Sequence, residues 1–323
     1  MEINGDEKQS GVILFQYKYT LPAGDPPPTT PLTINQAYLD LQLTDNSLLR
    51  LGRQKISWGT GFAWNPTNYI GADKNRADLT TVYPGVDALN YQLAWGESSL
   101  NLLLKPDDKQ GELSEWGRAA KLMFRLFHSD LSLSVYQQGT ANGYGADLAA
   151  TLGDYTVYTE LAAKTGKIFY INEAGTLMHR TENRHYLHGI IGVLRNFSNN
   201  WTIQMEYYHN QEGWTEAEAQ NYYIYLAGGK TVPDEPAKFF ADQRRNYLFA
   251  MARKGELVDD VALTISGFWN TDDGSWMLTP MLDYRFGQNA KTAVMINYCG
   301  GEDASEFGSL FDFQIIGKVT INF

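Results

Sequence analysis

The sequence predicts an all-β protein, a transmembrane antiparallel up-and-down β-barrel of about 16 strands, or alternatively of about 14 or 18. Three observations favour this fold class. Apolar and polar residues alternate with a period of two over most of the chain. The alternating segments are about ten residues long, which is the length of a tilted strand that crosses a bilayer. Short and long connections follow one another in turn, as they do between the two rims of a barrel.

The composition of the 323 residues excludes two other classes of protein. No apolar run approaches the ~18 residues that a membrane-spanning helix needs, so a helical membrane protein is excluded. The 20 Tyr, 8 Trp and 30 scattered Gly favour β structure. A formal charge of -11 argues against a nucleic-acid partner, which would call for a basic stripe. The single cysteine, Cys299, excludes an intramolecular disulfide framework.

The alternation is clear in the segment WTIQMEYYHN, residues 201–210. Ile203 and Met205 lie on one face of a strand, and Gln204 and Glu206 lie on the other. The same pattern recurs along the whole chain. Sixteen segments are predicted, and they begin near residues 11, 33, 48, 86, 99, 118, 131, 144, 155, 186, 201, 246, 261, 275, 291 and 313.

The connections between these segments are sorted by position. After every second predicted strand, up to the fourteenth, come the tight polar turns DNS, ESS, HSD, GD, SNN, VDD and QNA. After most of the others come longer stretches: LPAGDPPPTTP, residues 60–85, KQGELSEWG, residues 167–185, and residues 214–245, with a helical turn expected around 214–220. This sorting predicts periplasmic turns on one rim and long extracellular loops on the other. No linker divides the chain, so residues 1–323 are expected to form a single barrel domain.

Charge decides which face of the predicted strands meets lipid. Each Lys or Arg on the lipid side near the midplane would cost about 2–4 kcal/mol, so the polar face must line an aqueous lumen. A barrel of about sixteen strands leaves such a channel open. The apolar face should meet lipid, with aromatic residues near the strand ends at Tyr91, Trp95, Tyr155, Trp201, Tyr207, Trp276, Tyr284 and Phe286. The predicted pore-lining residues are Asp40, Arg50, Gln54, Lys105, Lys121, Arg125, Glu160, Lys164, Glu206, Asp283, Arg285 and Lys318.

The last strand carries a signal of its own. In FDFQIIGKVTINF, alternate apolar residues from Phe313 lead to a terminal Phe323. The ending GKVTINF resembles the C-terminal signature of bacterial outer-membrane β-barrels. That resemblance implies contact with outer-membrane lipid and recognition of Phe323 by the barrel assembly machinery. The same resemblance leads us to expect a protein of the bacterial outer membrane. The start, MEINGDEKQSG, carries no secretory signal, and we expect that the signal peptide has been removed.

A second resemblance covers residues 48–66, LLRLGRQKISWGTGFAWNP. This stretch looks like the GRQ, WG and NP element of several porin-like outer-membrane families, including alginate-export-like barrels. In such barrels the corresponding strand carries polar groups into the lumen and the following loop folds inward. The resemblance therefore implies that loop 60–85 enters the lumen and narrows it, although an outer cap is the alternative. The constriction residues would be Trp64, Asn65, Asp73, Lys74 and Arg76.

Catalytic chemistry finds little support in the sequence. His185 and His188 in RHYLH are three apart, so on a strand they point to opposite faces, and we expect both to be solvated rim residues. No serine-hydrolase, P-loop or zinc-protease spacing is present, so we expect no enzyme, no cofactor and no metal.

Two functions stay open for a barrel of this kind. The first is an outer-membrane channel for passive diffusion of small polar or charged solutes. Its selectivity would come from lumen charges, such as Asp283 beside Arg285 and Lys121 beside Arg125, and from the infolded loop 60–85. The alternative is an export or docking barrel that houses a polysaccharide or a partner protein. A homo-oligomer is a further possible partner, and a plug protein would favour the export or docking barrel.

Overall fold

A computed structural model describes residues 9–16, 33–72, 74–80, 84–106, 115–166, 168–180, 184–230, 242–287, 290–310 and 312–321. The strands of the first half are β1 Gln9–Gln16, β2 Thr33–Thr44, β3 Ser47–Gln54, β4 Val86–Trp95, β5 Ser98–Lys105, β6 Gly117–Leu126, β7 Ser129–Gln138, β8 Ala141–Leu152 and β9 Tyr155–Thr165. The remaining elements are β10 Phe169–Ile171, β11 Leu177–His179, β12 His185–Asn196, β13 Trp201–Asn210, α1 Glu216–Ala227, β14 Asn246–Val258, β15 Val261–Asn270, β16 Trp276–Phe286, β17 Ala290–Gly300 and β18 Phe313–Ile321.

Sixteen of these strands form one sheet, and the predicted fold class is confirmed. Their order in the sheet is their order in the chain, once the separate hairpin of β10 and β11 is set aside. The pairs whose register is described are all antiparallel. The predicted strands begin within about three residues of the observed ones, because a period of two is a local property that the sequence displays directly.

The two faces of the strands are inverted relative to a water-soluble sheet. On β13, Gln204 and Glu206 are 4% and 1% exposed, whereas Ile203 and Met205 are 38% and 53% exposed. On β7, Ser132 and Ser134 are buried, and their apolar neighbours are exposed. A sheet that buries its polar side chains and exposes its apolar ones is suited to an apolar surrounding.

Large apolar side chains are also exposed at the strand ends. Six of the eight predicted interfacial aromatic residues are exposed, and the other two, Tyr91 and Trp201, are half-buried. On β18, Phe313, Ile315 and Val319 are exposed as the alternation predicts. Phe323 lies outside the described residues.

Helix α1 is longer than the predicted helical turn and begins with a capping box. The N–H of Glu218 donates to the Thr215 hydroxyl at 3.3 Å, and the N–H of Thr215 donates to the Glu218 carboxylate at 2.8 Å. Trp214 and Tyr222 pack with Ile171 of the β10–β11 hairpin. Within the part of the chain that the structure describes, no helix has the length and apolar character needed to cross a membrane.

The chain contains two compact units. The first consists of Met1–Gly59, Thr67–Lys74 and Thr80–Ala146, and the second consists of Thr60–Pro66, Asn75–Leu79 and Asp147–Phe323. The first unit has an apolar cluster around Trp58 and Tyr136. The second has a larger one, which we call the interior aromatic cluster. Its buried members are Ala63, Trp64, Ala77, Tyr158, Ile190, Tyr208, Tyr247, Phe249, Phe268, Met277 and Phe307. The single domain over residues 1–323 stays a prediction.

Candidate functional site

Two glutamates lie at the centre of the second unit, on the buried face of the sheet. Glu160 on β9 is 0% exposed and Glu206 on β13 is 1% exposed. The strand β12 lies between β9 and β13 in the sheet. A buried carboxylate is tolerated only when hydrogen bonds replace the lost water. The chain supplies these bonds from residues 60–66, which with residues 75–79 we call the infolded segment.

Glu160 accepts hydrogen bonds from the first residues of the infolded segment. Its Oε1 lies 2.6 Å from the backbone nitrogens of both Thr60 and Gly61, and 2.9 Å from Nδ2 of Asn65. The same amide of Asn65 donates to the carbonyl of Gly61 at 2.9 Å. A Cβ on Gly61 would lie 2.1 Å from the carbonyl oxygen of Trp64, so only glycine permits this turn.

Glu206 accepts from the next residues along the chain. The N–H of Phe62 donates to its Oε1, and the N–H of Ala63 donates to its Oε2 at 2.8 Å. The Trp64 nitrogen lies 3.4 Å from Oε2. The hydroxyl of Tyr158 donates to Oε1 at 2.7 Å. Consecutive backbone N–H groups therefore converge on two fixed carboxylates, and each charge-assisted bond of this kind contributes about 1.5–3 kcal/mol.

Trp64 places the infolded segment in the interior aromatic cluster. Its ring stacks on Tyr208 at 5.1 Å and meets Phe268 edge-on at 5.4 Å between ring centroids. The indole Nε1 donates to Asp242 at 3.0 Å, and Arg76 forms an ion pair with the same carboxylate. Asp242 thus contacts both parts of the infolded segment, 60–66 and 75–79.

The second part of the infolded segment is attached to the last strands. Lys318 on β18 forms an ion pair of 3.0 Å with Asp78. The amide of Asn297 on β17 donates to the carbonyl of Ala77 at 3.2 Å. Residues 60–66 and 75–79 therefore contact side chains from β9, β13, β17 and β18, on the face opposite the exposed apolar residues.

The rest of the predicted constriction loop belongs to the first unit. Tyr69 stacks on Tyr136 with 5.3 Å between centroids and 6° between planes, and the N–H of Trp58 donates to Asn68 at 3.3 Å. Lys74 is half-buried. Asp73 lies outside the described residues.

Several predicted pore-lining residues form polar pairs in the first unit. Arg50 and Asp40 make two parallel hydrogen bonds of 2.7 and 2.8 Å. Gln54 donates to the carbonyl of Ala88 at 2.9 Å and accepts from Asn90 at 3.1 Å. Two of the predicted lysines, Lys105 and Lys121, are half-buried on strands of this unit, and Lys164 is half-buried in the second unit.

In the two expected charge ladders, the ion pairs are formed with residues of other strands. Asp283 forms its ion pair with Arg253, at 3.0 Å, rather than with Arg285 two residues along the same strand. Arg253 extends from β14 across Thr264 of β15, to which it also donates at 2.8 Å. Asp283 lies on β16, two strands from β14, so the long Arg253 side chain spans the intervening β15 to reach it.

At the turn between β6 and β7, Arg125 forms an ion pair with Asp130 of β7 at 2.7 Å. Neither arginine of the two expected ladders, Arg125 or Arg285, is buried.

The expectation that His188 is a solvated rim residue was wrong. Its side chain is 2% exposed, with Nδ1 3.1 Å from the Tyr208 hydroxyl and Nε2 3.6 Å from the Glu212 carboxylate. Residues just beyond β13 cover it, which the sequence pattern does not reveal. Among the described residues, no group of three or more His, Cys, Asp or Glu is arranged to hold a metal ion.

Three residues that hold the infolded segment in place were not predicted from the sequence: Tyr158, Asn297 and Asp242. Tyr158 and Asn297 lie on the buried face of their strands, but neither carries a charge that would have marked it. Asp242 lies within the long stretch 214–245, for which no contact was predicted. Its only sequence signal is a carboxylate next to the basic pair Arg244 and Arg245, and that signal is weak.

Comparisons with known proteins find the fold but no close relative. No protein-family model matches the chain, and no curated protein matches it. Among solved structures, it is similar to Wzi of Escherichia coli, an outer-membrane protein involved in group 1 capsule assembly and described as a carbohydrate-binding β-barrel. That match has a TM-score of 0.59 and 11% identity, and it covers 99% of this chain and 77% of Wzi.

Two structures from Pseudomonas aeruginosa are also similar. OccK2, solved in complex with glucuronate, matches with a TM-score of 0.57 and 11% identity over 97% of this chain and 86% of OccK2. OccK11 matches with a TM-score of 0.54 and 10% identity over 97% of this chain and 83% of OccK11. At such identities the likeness establishes the fold alone, which is that of an outer-membrane β-barrel.

Proposed function

We propose that the protein is a porin-like channel of the bacterial outer membrane for passive diffusion of small polar or charged solutes. The observation that carries this proposal is the inversion of the two faces, with Glu160 and Glu206 buried and Ile203 and Met205 exposed. Lipid would cover the exposed face, and water and solutes would occupy what the inner side chains leave free. No chemical step is part of this function.

The infolded segment is the proposed constriction. Its backbone donates to Glu160 and Glu206, and its indole is packed between aromatic rings, so its position is fixed by several independent contacts. A fixed constriction selects solutes by size and charge without moving. We further propose that Lys105, Lys121 and Lys164 contribute positive charge to the conduction path, because all three lie on the face of their strands that carries the buried residues.

Two finer parts of the proposal concern identity and assembly. The GRQ, WG and NP element covers β3 and the start of the infolded segment, which supports a relation to the alginate-export-like and similar porin families. The exposed alternation Phe313, Ile315, Val319 supports recognition of the last strand by the barrel assembly machinery. One barrel domain spanning residues 1–323 is part of the same proposal.

A second candidate function is an export or docking barrel that houses a polysaccharide or a partner protein. It is favoured by the likeness to Wzi, which is described as a carbohydrate-binding β-barrel.

Single-channel recording in planar bilayers separates the two functions. Ion-conducting steps from the purified protein alone support the channel. Silence until a co-purified subunit is removed supports the docking barrel. A protein that is monodisperse in buffer without detergent or lipid would contradict both, because its exposed apolar face would then have another cover.

The charge part of the proposal has its own test. Reversing Lys121 and Arg125 to Glu should move the zero-current potential in a salt gradient towards cation selectivity, because both lie on the buried parity of β6. The matched control reverses Arg53 and Arg195, which alternate with the inward-facing Gln54 and Leu194 and so lie on the other face. An unchanged potential in the first variant would remove these residues from the conduction path.

A further inference from the structure

A second loop is also folded onto the buried face of the second unit. Between β17 and β18, Glu306 and Phe307 are 7% and 3% exposed, although residues 301–304 of this loop are exposed. The Glu306 carboxylate accepts from the Tyr247 hydroxyl at 2.5 Å, from Nδ2 of Asn270 at 2.9 Å and from the N–H of Gln243 at 3.1 Å. A loop carboxylate is therefore inserted among donors from β14, β15 and the approach to β14.

Phe307 brings this loop to the same place as the infolded segment. It is a buried member of the interior aromatic cluster, which also contains Trp64, Phe249 and Phe268. Its N–H donates to the Ser275 hydroxyl at 3.2 Å, and the N–H of Glu306 donates to Asp273 at 3.0 Å. Polar bonds hold the backbone of this loop while the aromatic ring fills the interior.

The other side of this loop has space. A cavity of about 480 Å³ is lined by Glu302 and Ser305 from the loop, by Tyr223 from α1 and by Arg244. The loop therefore borders open space as well as the packed interior.

We propose that residues 305–310 form a second constriction segment, and that Glu306 is the residue that positions it. This inference rests on the proposed channel function. Trp64 of the infolded segment and Phe307 of the second segment are buried in the same interior aromatic cluster, so both segments would narrow the interior of the second unit. Glu306 acts through the loop and does not itself contact the solute.

Thiol labelling tests the positioning role without any recording of current. Phe307 is replaced by Cys in a background in which the native Cys299 is Ser, and the rate of reaction with a charged thiol reagent is measured in detergent micelles. Adding Glu306→Ala should raise the rate at least about tenfold, since the loss of a hydrogen bond to a charged group shifts a local equilibrium by roughly that factor. Adding Glu302→Ala, which alters an exposed side chain of the same loop, should not.

Recording in planar bilayers tests the constriction role. Glu306→Ala and Phe307→Ala should each raise the single-channel conductance and admit larger neutral polymers, whereas Glu302→Ala should match the wild type. Glu306→Gln, which keeps the shape, guards against a failure of Glu306→Ala to fold. Resistance of the folded form to dodecyl sulfate without heating reports folding in every variant.

The outcomes separate the two proposals. If the wild type conducts and Glu306→Ala behaves as Glu302→Ala does, the second constriction is refuted and the channel stands. The same conclusion follows if labelling accelerates while conductance and polymer exclusion do not change. If the wild type never conducts, the channel function itself fails, whatever the labelling result.

Discussion

The infolded segment and the second constriction segment, residues 305–310, are held by opposite arrangements. In the infolded segment, strand carboxylates at Glu160 and Glu206 accept from loop N–H groups. In the second segment, the loop provides the carboxylate, Glu306, and the strands provide donors at Tyr247 and Asn270. Both arrangements bury acids, but the first surrounds its acids mainly with backbone dipoles and the second relies on a few side chains.

This difference predicts different sensitivities. The infolded segment is held mainly through its own backbone N–H donors, and these groups do not titrate. The pKa of Glu306 in the second segment is raised to about 7, chiefly because burial disfavours its ionised form. The second segment should therefore respond to pH near neutrality.

Removal of a strand carboxylate should have the largest effect. Glu206→Ala leaves the buried N–H groups of Phe62 and Ala63 and the Tyr158 hydroxyl without their acceptor. Each buried donor left unsatisfied costs about 1–3 kcal/mol, so the loss in unfolding free energy should exceed about 3 kcal/mol. Denaturant unfolding in micelles measures it, with Glu173→Ala at an exposed site as control. An equal change in both variants would refute the anchoring role.

The pH response of the second segment comes next. The ordinary pKa of 4.5 rises to about 7 in the folded protein, so between these values the folded state binds the Glu306 proton more readily. The stabilisation is fully present below about pH 4.5 and is lost as pH rises through about 7. It amounts to about 3 kcal/mol. The charged and titratable groups that face Glu306 are Tyr247, Asp242, Asp273, Tyr223 and Arg244.

This response can be isolated with a variant that does not titrate. The unfolding free energy of the wild type minus that of Glu306→Gln should fall between pH 5 and pH 8. A flat difference would show that Glu306 does not change its charge there. A difference that increases with pH would contradict the sign derived from its burial.

A smaller effect is expected from the turn at the start of the infolded segment. Gly61→Ala places a methyl group 2.1 Å from the Trp64 carbonyl oxygen, so the segment must shift away from Glu160. Overpacking of this kind costs about 1–3 kcal/mol. Gly317→Ala is the matched control, because nothing lies within 4 Å of a Cβ at that position. Hydrogen exchange of residues 60–64 should accelerate only in the first variant, and protection that is kept in Gly61→Ala would disprove the tight turn.

The smallest effect should come from Asn65. Asn65→Ala removes one donor to Glu160 but leaves the N–H groups of Thr60 and Gly61 on the same oxygen. A single hydrogen bond contributes about 1 kcal/mol, so the unfolding free energy should fall by about that amount. If Asn65→Ala proves as damaging as Glu206→Ala, then the side chain and not the backbone holds the segment, and the contrast between the two segments is lost.

The strand pattern could be predicted because it is local. The alternation placed Glu160, Glu206 and Lys318 on one face from the sequence alone, and their burial or half-burial follows. The partners of these residues could not be predicted in the same way. Glu160 meets Gly61 across 99 residues, and Asp78 meets Lys318 across 240. No period in the sequence encodes which loop folds onto which strand.

Two further surroundings were not visible in the sequence. The sequence shows Arg285 two residues from Asp283 on one strand, but it does not show that Arg253 reaches Asp283 from another strand. His188 was taken as solvated because a rim position suggests water, but Tyr208 and Glu212 cover it. The loop 301–312 received no prediction, since neither Glu306 nor Phe307 stands out from any other loop residue.

The sequence distance between the infolded segment and its anchors also sets an order of events. The N–H of Thr60 donates to Glu160, 100 residues further along the chain, and the N–H of Ala63 donates to Glu206, 143 residues further. Contacts this remote form late, because the chain loses the entropy of closing a long loop before the contact stabilises it. A sheet that still lacks β13 has no acceptor for the N–H of Ala63. This contact of the infolded segment can therefore form only after β13 has joined the sheet.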